Sequence, residues 1–407
     1  MVSSAEALYI IESCLEDFRI DGRSRSEHRP YAISSRRSSS SSSSAKSSRK
    51  NDDDGKYDPV DSVASPLVLS NGSSRIHLPG SSTDVLCSVK ADLVRPSPSR
   101  PDSGVCELSV DLSLWGGGGT ATGPSGGGAA RKRRRQREDE SEISSLLSRL
   151  VLPHAVDYAR LVVWPGRYVW RLSIDVVVLR ADGCVLDACS IAMRAALIDA
   201  RLPRVRALID GGGGDGMGIG GGIGEGGGKG DLLVDGDIGN ARPPPGAVGC
   251  PLVVTVSVLR APPPSTYPSL RQYRSVPIVD ARAEEEACAS SRVCVSVDPD
   301  GVVCGVHTLG GGGAALSEDG DMEEDDDDVC VGNTGGGGSL PLAMLGDVVT
   351  AAAVASRNLY SLLDGDYWGD GKRGGANCEG VKRNVSVMAN DGGGCYGHLL
   401  KGHFLIR

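Results

Sequence analysis

From Val169 to Leu179 apolar and polar residues alternate, with Trp170, Leu172, Ile174, Val176 and Val178 on one face and Arg171, Ser173 and Asp175 on the other. This is the period of a half-buried strand. Ala181-Asp182-Gly183 turns the chain, and Asp187 reads as the N-cap of a helix with Ile191, Ala195, Ile198 and Leu202 at helical spacing, ended by Pro203. Strand, turn and packed helix form an α/β or α+β core unit that many folds share.

The same patterning organises the rest of the chain. Ser3 and Glu6 have capping-box spacing, and Leu8, Ile11, Leu15 and Phe18 follow on one face of an opening helix. A short strand is expected at His28 to Ser34, and order is expected to return with Arg75 to Leu78 after the Ser-rich stretch. From Thr83 to Leu93, Val85, Cys87, Val89 and Ala91 share a strand face, and the Pro-rich turn Arg95 to Pro101 leads to a partner strand at Val105 to Val110. Asp139, Glu140 and Glu142 suit a helix N-terminus, with Ile143, Leu146, Leu147 and Leu150 as its buried face and Arg149 pointing away. Later come strands at Leu252 to Leu259 and Val276 to Asp280, then an acidic turn from Ala283 to Ala289. A hairpin follows around Asp298-Pro299-Asp300-Gly301, and then a helix from Leu340 to Leu363 with Leu342, Leu345, Val349, Ala352, Leu359 and Leu363 on one stripe.

Composition shortens the chain that can fold. Of 407 residues 57 are glycine and only 4% are aromatic, and nearly pure Ser or Gly tracts cannot bury enough apolar surface to offset their ordering entropy. Setting them aside leaves one domain of about 200 to 270 residues. The expected domain is 1–363, with disordered insertions at 36–65, 115–138, 210–249 and 310–339 and a poorly ordered tail at 364–407. The glycines of 115–130 lack the Gly-Lys-Ser/Thr closure of a phosphate loop. Twelve cysteines stand singly, without Cys-x-x-Cys spacing, and read as reduced, buried thiols; no metal or cofactor is expected, and no apolar span reaches about 18 residues.

Net charge is −9 but unevenly placed, acidic over Glu318 to Asp328 and basic over Arg131, Lys132, Arg133, Arg134, Arg135 and Arg137. The basic run reads equally as a nuclear-import signal, an RNA-backbone contact or a solubilising loop.

In this order the ordered segments resemble the RNase PH-like ring subunits of the RNA exosome. The resemblance is carried by Tyr9-Ile10, the run Glu16-Asp17-Phe18-Arg19-Ile20-Asp21-Gly22-Arg23, Thr83 to Leu93, Val110-Asp111, Ala200-Arg201-Leu202-Pro203-Arg204-Val205, Val279-Asp280-Ala281 and Glu284-Glu285-Glu286-Ala287. It implies an α+β fold of mixed sheets packed with helices, the central helix covering one sheet. It further implies a ring with homologous RNase PH-like subunits and RNA-binding cap subunits, which threads single-stranded RNA. Localisation would be nuclear and nucleolar, also cytoplasmic, with no membrane association.

The family's chemistry is attack of inorganic phosphate on the terminal RNA phosphodiester, which needs cationic and backbone donors and a carboxylate pair. Where catalytic members carry a Gly-Gly-Thr-Arg turn, this chain has Gly183-Cys184-Val185-Leu186, and Leu186 cannot pair with phosphate. Asp280 and Glu286 match the catalytic carboxylate spacing and are expected to be a remnant; surface charge is the plainer reading of the same pair. The expectation is therefore a non-catalytic subunit, with an active phosphorolytic 3′-to-5′ exoribonuclease and a stand-alone nuclear RNA-binding protein as alternatives. RNA contacts are expected from Arg149, Arg201, Arg204 and Arg206, each of which also reads as a solvated or interface arginine.

Overall fold

The computed structural model describes residues 2–35, 67, 69–78, 81–113, 127–208, 231–261, 274–310 and 342–368. The expected insertion 36–65, the acidic run Glu318 to Asp328 and most of the tail lie outside these residues. Helix α1, Ser4–Leu15, starts as its spacing predicts: the Ser3 hydroxyl accepts from the Glu6 N–H and the Glu6 carboxylate from the Ser3 N–H, both at 3.3 Å. Its buried face is Ala7, Ile10, Ile11 and Cys14, rotated from the expected stripe, and the helix ends before Phe18, which is exposed.

The first sheet holds β1 (Ala32–Ser35), β2 (Gly72–His77), β3 (Asp84–Val94), β4 (Val105–Asp111), β5 (Val162–Trp164) and β6 (Tyr168–Arg180). Its order is β1-β2-β3-β6-β4, with β5 also on β6. β3 carries Val85, Cys87 and Val89 into the core as its alternation predicts. β4 does not pair with β3, as the intervening turn suggests. It lies on the far side of β6 and parallel to it, Val105 opposite Arg171. A parallel neighbour requires a long crossover, and helices α2 (Gly127–Leu150) and α3 (Leu152–Ala155) lie between β4 and β6 in the chain.

Helix α2 corrects two expectations. It begins at Gly127, so the basic run is helical rather than part of a 115–138 insertion, and Asp139, Glu140 and Glu142 sit in mid-helix rather than in its first turn. Its buried end matches: Leu146, Leu147 and Leu150 are in the core.

The second sheet is antiparallel, in the order β10 (Arg274–Val279), β9 (Leu252–Ala261), β11 (Ala289–Val297), β12 (Val303–Gly310). The β11–β12 hairpin closes at the predicted turn, Gly301 N–H donating to the Asp298 carbonyl at 3.0 Å. The acidic turn before β11 is a short helix, α5 (Ala283–Cys288), and α6 (Leu342–Trp368) runs five residues past the expected end at Leu363. Val348, Ala352, Ala355, Leu359, Tyr360 and Leu363 form its buried stripe, and the Tyr360 hydroxyl joins Leu252 N–H (2.9 Å) to the Val297 carbonyl (2.9 Å). The expected 210–249 insertion is ordered from 231 onward: β8 (Asp231–Val234) pairs with β7 (Val205–Leu208), and Leu202 bridges to Arg242.

Helix α4 (Val185–Asp199) lies between the two sheets, so every residue from Leu186 to Asp199 is buried. It was expected to cover one sheet; it is bonded to both. Toward the first sheet, Ser74 donates to the Ala192 carbonyl (2.8 Å) and Ser73 N–H to Asp199 (3.2 Å). Toward the second, Val253 N–H donates to the Ser190 hydroxyl (3.0 Å) and Thr255 N–H to Asp187 (2.8 Å). The N-cap is Cys184, not Asp187, whose carboxylate is spent on β9.

Helix α4 and the first sheet approach closely at Gly72, where a Cβ would run into the Ala196 carbonyl oxygen and the Ala200 backbone. Gly72→Ala should therefore cost on the order of 2 kcal/mol, whereas Gly249→Ala, with nothing within 4 Å of the added carbon, should not. Urea unfolding of both variants checks the difference.

Candidate functional site

Asp280 follows β10 in the left-handed region, φ 50°, an uncommon place for a residue with a side chain. It is held there by arginines from the N-terminal segment. Its carboxylate accepts from Arg29 N–H (2.7 Å), twice from the Arg29 guanidinium (Nη2 2.7 Å, Nε 3.0 Å) and from Arg23 Nη1 (3.1 Å). Its carbonyl accepts from Arg19 Nη2 (2.9 Å) and Arg23 Nη2 (3.2 Å). Burial pushes the carboxyl up, but the bonds and charge of Arg29 outweigh it and hold Asp280 at about 2. Burial sets His28, whose Nδ1 is 3.9 Å from Asp280, down to about 4 despite that carboxylate, so the imidazole is neutral at pH 7.

Arg19 is fully buried beside this pair. Its guanidinium grips both Glu285 oxygens, Nε at 2.9 Å, and donates to the Val279 carbonyl at 2.9 Å. Burial disfavours its charge, but Glu285 more than restores it. The turn Asp21-Gly22-Arg23 is thus a clamp from residues 19–29 onto residues 279–285, with Gly22 at φ 79° supplying the tight return.

Glu286 does not join Asp280 in a free carboxylate pair. It reaches the start of α4, where Gly183 (φ 74°) and Cys184 (φ 47°) both adopt the left-handed conformation, and accepts the Cys184 N–H at 2.8 Å. An anion there meets the positive end of the α4 dipole, and here the protein's own carboxylate supplies it. Burial raises the Glu286 carboxyl above its ordinary value. Leu186, in the first turn of α4, is packed in the core. The surrounding guanidiniums also face carboxylates: Arg282 is 3.3 Å from Asp182, Arg29 is 3.8 Å from Asp182, and Arg292 is 3.7 Å from Glu286. Asp187 lies deeper, pushed by burial up to about 8 against its bonds from Thr255.

The expected RNA arginines are dispersed. Arg149 is exposed at the end of α2 and donates to the Ser145 carbonyl (3.3 Å). Arg201 turns back on the α4 C-terminus, donating to the Ile198 and Ala200 carbonyls at 3.0 and 2.8 Å. Arg204 and Arg206 are exposed at β7, and both help hold Asp235 below the usual carboxylate range, after its bonds to Asp237 N–H and Asn240. Among the described residues no cluster of His, Cys, Asp and Glu forms a metal site. The sequence does not announce the roles of Arg19, Arg23, Arg29 and Asp182, and Asp187, expected as an N-cap, instead accepts from Thr255. The string Asp17 to Arg23 was visible, but its partners lie more than 250 residues away.

Two outcomes are expected. Arg19→Met leaves Glu285 buried and uncompensated and should cost about 3 to 5 kcal/mol in urea unfolding, largely recovered by adding Glu285→Leu. Asp280, depressed in the fold, contributes stability that is present above pH about 4 and lost as pH falls toward 2. Asp280→Asn should be destabilised by about 2 kcal/mol at pH 7, and its gap from the parent protein should narrow as pH falls from about 4 to about 2. A gap that is constant with pH contradicts the clamp.

Residues 64–203 match the 3′ exoribonuclease family, domain 1, and residues 271–320 match domain 2 of that family. The first match takes in β2 to β6 and α4, the second β10, α5, β11 and β12. The chain is 27% identical over 199 residues to the exosome complex component Rrp42 of Sulfurisphaera tokodaii (48% of this chain, 56% of the relative). It is 30% identical over 200 residues to that of Thermococcus kodakarensis (48% and 57%), so it spans about half the length of these relatives. Its fold is similar to a chain of the archaeal exosome core, with a TM-score of 0.50 over 88% of this chain and 96% of that one, at 19% identity. Residues 64–203 and 271–320 are thus similar to the two domains of the 3′ exoribonuclease family, and the fold they build is RNase PH-like.

Proposed function

We propose that the protein is a non-catalytic ring subunit of an RNA exosome, which supports 3′-to-5′ RNA processing by holding neighbouring RNase PH-like subunits and passing single-stranded RNA toward a nuclease. The similarity to Rrp42 components supports the assembly. The loss of chemistry is supported by one arrangement above all: the Asp280 carboxylate is committed to Arg29 and Arg23, and the Cys184 N–H to Glu286. A phosphorolytic site needs a carboxylate available to the scissile bond and a cation beside the attacking phosphate. Here the carboxylate is neutralised, the turn is filled from within, and the expected cation is the buried Leu186. RNA contacts in this reading fall to Arg149, Arg204 and Arg206, with Arg201 tied to helix carbonyls. Binding by cap subunits and a nuclear, nucleolar and cytoplasmic distribution belong to the same reading.

The purified protein, given single-stranded RNA and inorganic phosphate, should release no nucleoside diphosphates, and the tagged protein in cell extract should co-elute with RNase PH-like subunits at several times its own mass. Phosphate-dependent release that disappears in Asp280→Asn would establish the active enzyme instead. Elution as a lone monomer would remove the ring.

A further inference from the structure

The two halves of α2 are built for different surroundings. Its C-terminal half places Leu146, Leu147 and Leu150 in the core, and Ser296 fixes its end by donating to the Leu150 carbonyl at 2.7 Å. In the other half Arg134, Arg137, Glu138 and Asp139 are exposed. That half carries Arg131, Lys132, Arg133, Arg134, Arg135 and Arg137, six cations along about 9 Å of helix axis, in a chain whose net charge is −9.

Their order along the helix is unfavourable to it. Cations stabilise helix C-termini and acids N-termini, and an acid placed before a cation is the better i,i+4 order. Here the cations come first and Glu138, Asp139, Glu140 and Glu142 follow. Arg134 pairs with Glu138 at 3.0 Å in the weaker order, and both side chains are largely solvated, so screening leaves little gain. Glu140 is drawn to the sheet instead, accepting the Leu112 N–H at 3.1 Å and Gln136 at 3.2 Å. The run therefore gains little from the helix that carries it, and like charges within it at i,i+3 and i,i+4 spacing repel, a repulsion that an external polyanion would relieve.

We propose that the first half of α2 is a docking surface for the phosphate backbone of single-stranded RNA, sharing no residue with the Asp280 site. The choice of RNA as the polyanion rests on the ring-subunit reading. The seven positions span nearly two turns, so cations occur all round the helix axis. A flexible phosphate chain follows such a cylinder of charge without side-chain register. A protein groove that reads one side of a linear peptide does not use charge on every side.

The test uses the full chain and a labelled 30-nucleotide oligouridine, with anisotropy read from 50 to 200 mM KCl. Changing Arg131, Lys132, Arg133, Arg134, Arg135 and Arg137 to Gln should lower the slope of log affinity against log salt by roughly 4, at about 0.7 per phosphate contact on a single strand. At 100 mM KCl binding should weaken at least tenfold. A milder variant, Arg131, Arg133 and Arg137 to Gln, should lose about half that slope, which guards against misfolding of the first. Oligouridine should also increase the helical circular dichroism of the parent protein and not of the six-fold variant. Unchanged slope and affinity overturn the proposal. So does displacement of the RNA by polyglutamate at equal charge, which indicates an acidic protein partner, or loss of nuclear entry with RNA binding intact, which indicates an import signal. Co-elution of both proteins with RNase PH-like subunits is scored separately: a variant that assembles but binds RNA weakly supports the proposal, and an RNA-binding parent that never assembles removes the ring while leaving the helix its ligand.

Discussion

The bond between Asp280 and the guanidiniums of Arg29 and Arg23 sets the geometry around it. A carboxylate with one guanidinium on both oxygens, a second on one oxygen and a backbone N–H besides has little acceptor capacity left. That saturation permits a charge to be buried at the end of β10, keeps Asp280 in its left-handed conformation and brings the N-terminal segment across the molecule. Arg19 and Glu285 repeat the device one layer further in. Buried ion pairs are often poor investments in stability and good ones in uniqueness; here the uniqueness is of register, because residues 19–29 are bonded to 279–285 in a single alignment.

From that alignment the second carboxylate follows. Residue 286 directly follows the clamped segment 279–285 and is delivered to the start of α4, where Gly183 must pack against the Ala281 carbonyl and the backbone of 282 and 283. The same contact seats α4 between the two sheets. Scaffold and site therefore share their parts: what makes the turn at Gly183 and Cys184 rigid also fills it.

Much of this was legible in the chain. Alternation located β3 and β6 because one face of each reads as apolar, β-branched residues located β9, the turn at Asp298 to Gly301 located the β11–β12 hairpin, and the capping box located α1. What failed did so for identifiable reasons. Periodicity cannot say which strands are neighbours, so β4 was assigned to β3 when β6 stands between them. A helix buried on all sides has no polar face to reveal its register, which is why Asp187 passed for an N-cap. The start of α2 was hidden because a Gly-rich approach and a basic run read as a loop, although arginine and lysine are good helix formers. At the site, sequence spacing identified Asp280 and Glu286 but not their partners: nothing local marks an arginine as buried when its carboxylate is some 260 residues away.

Tyr360 carries a consequence for how the chain is made. Its hydroxyl closes the second sheet from α6, and the Arg19 clamp spans 266 residues. A chain leaving the ribosome completes its first sheet by residue 180, yet its opening helix gains its cover only from residues 259 to 289 and Arg19 meets Glu285 only after residue 285 emerges, and β9 has no cover from α6 until residue 360. At about 5 to 20 residues per second, α1 waits on the order of ten seconds or more with Ile10, Ile11 and a bare guanidinium in water. Such delayed closure leaves apolar surface open to chaperones for much of synthesis, the cost of contacts between residues so far apart in the chain.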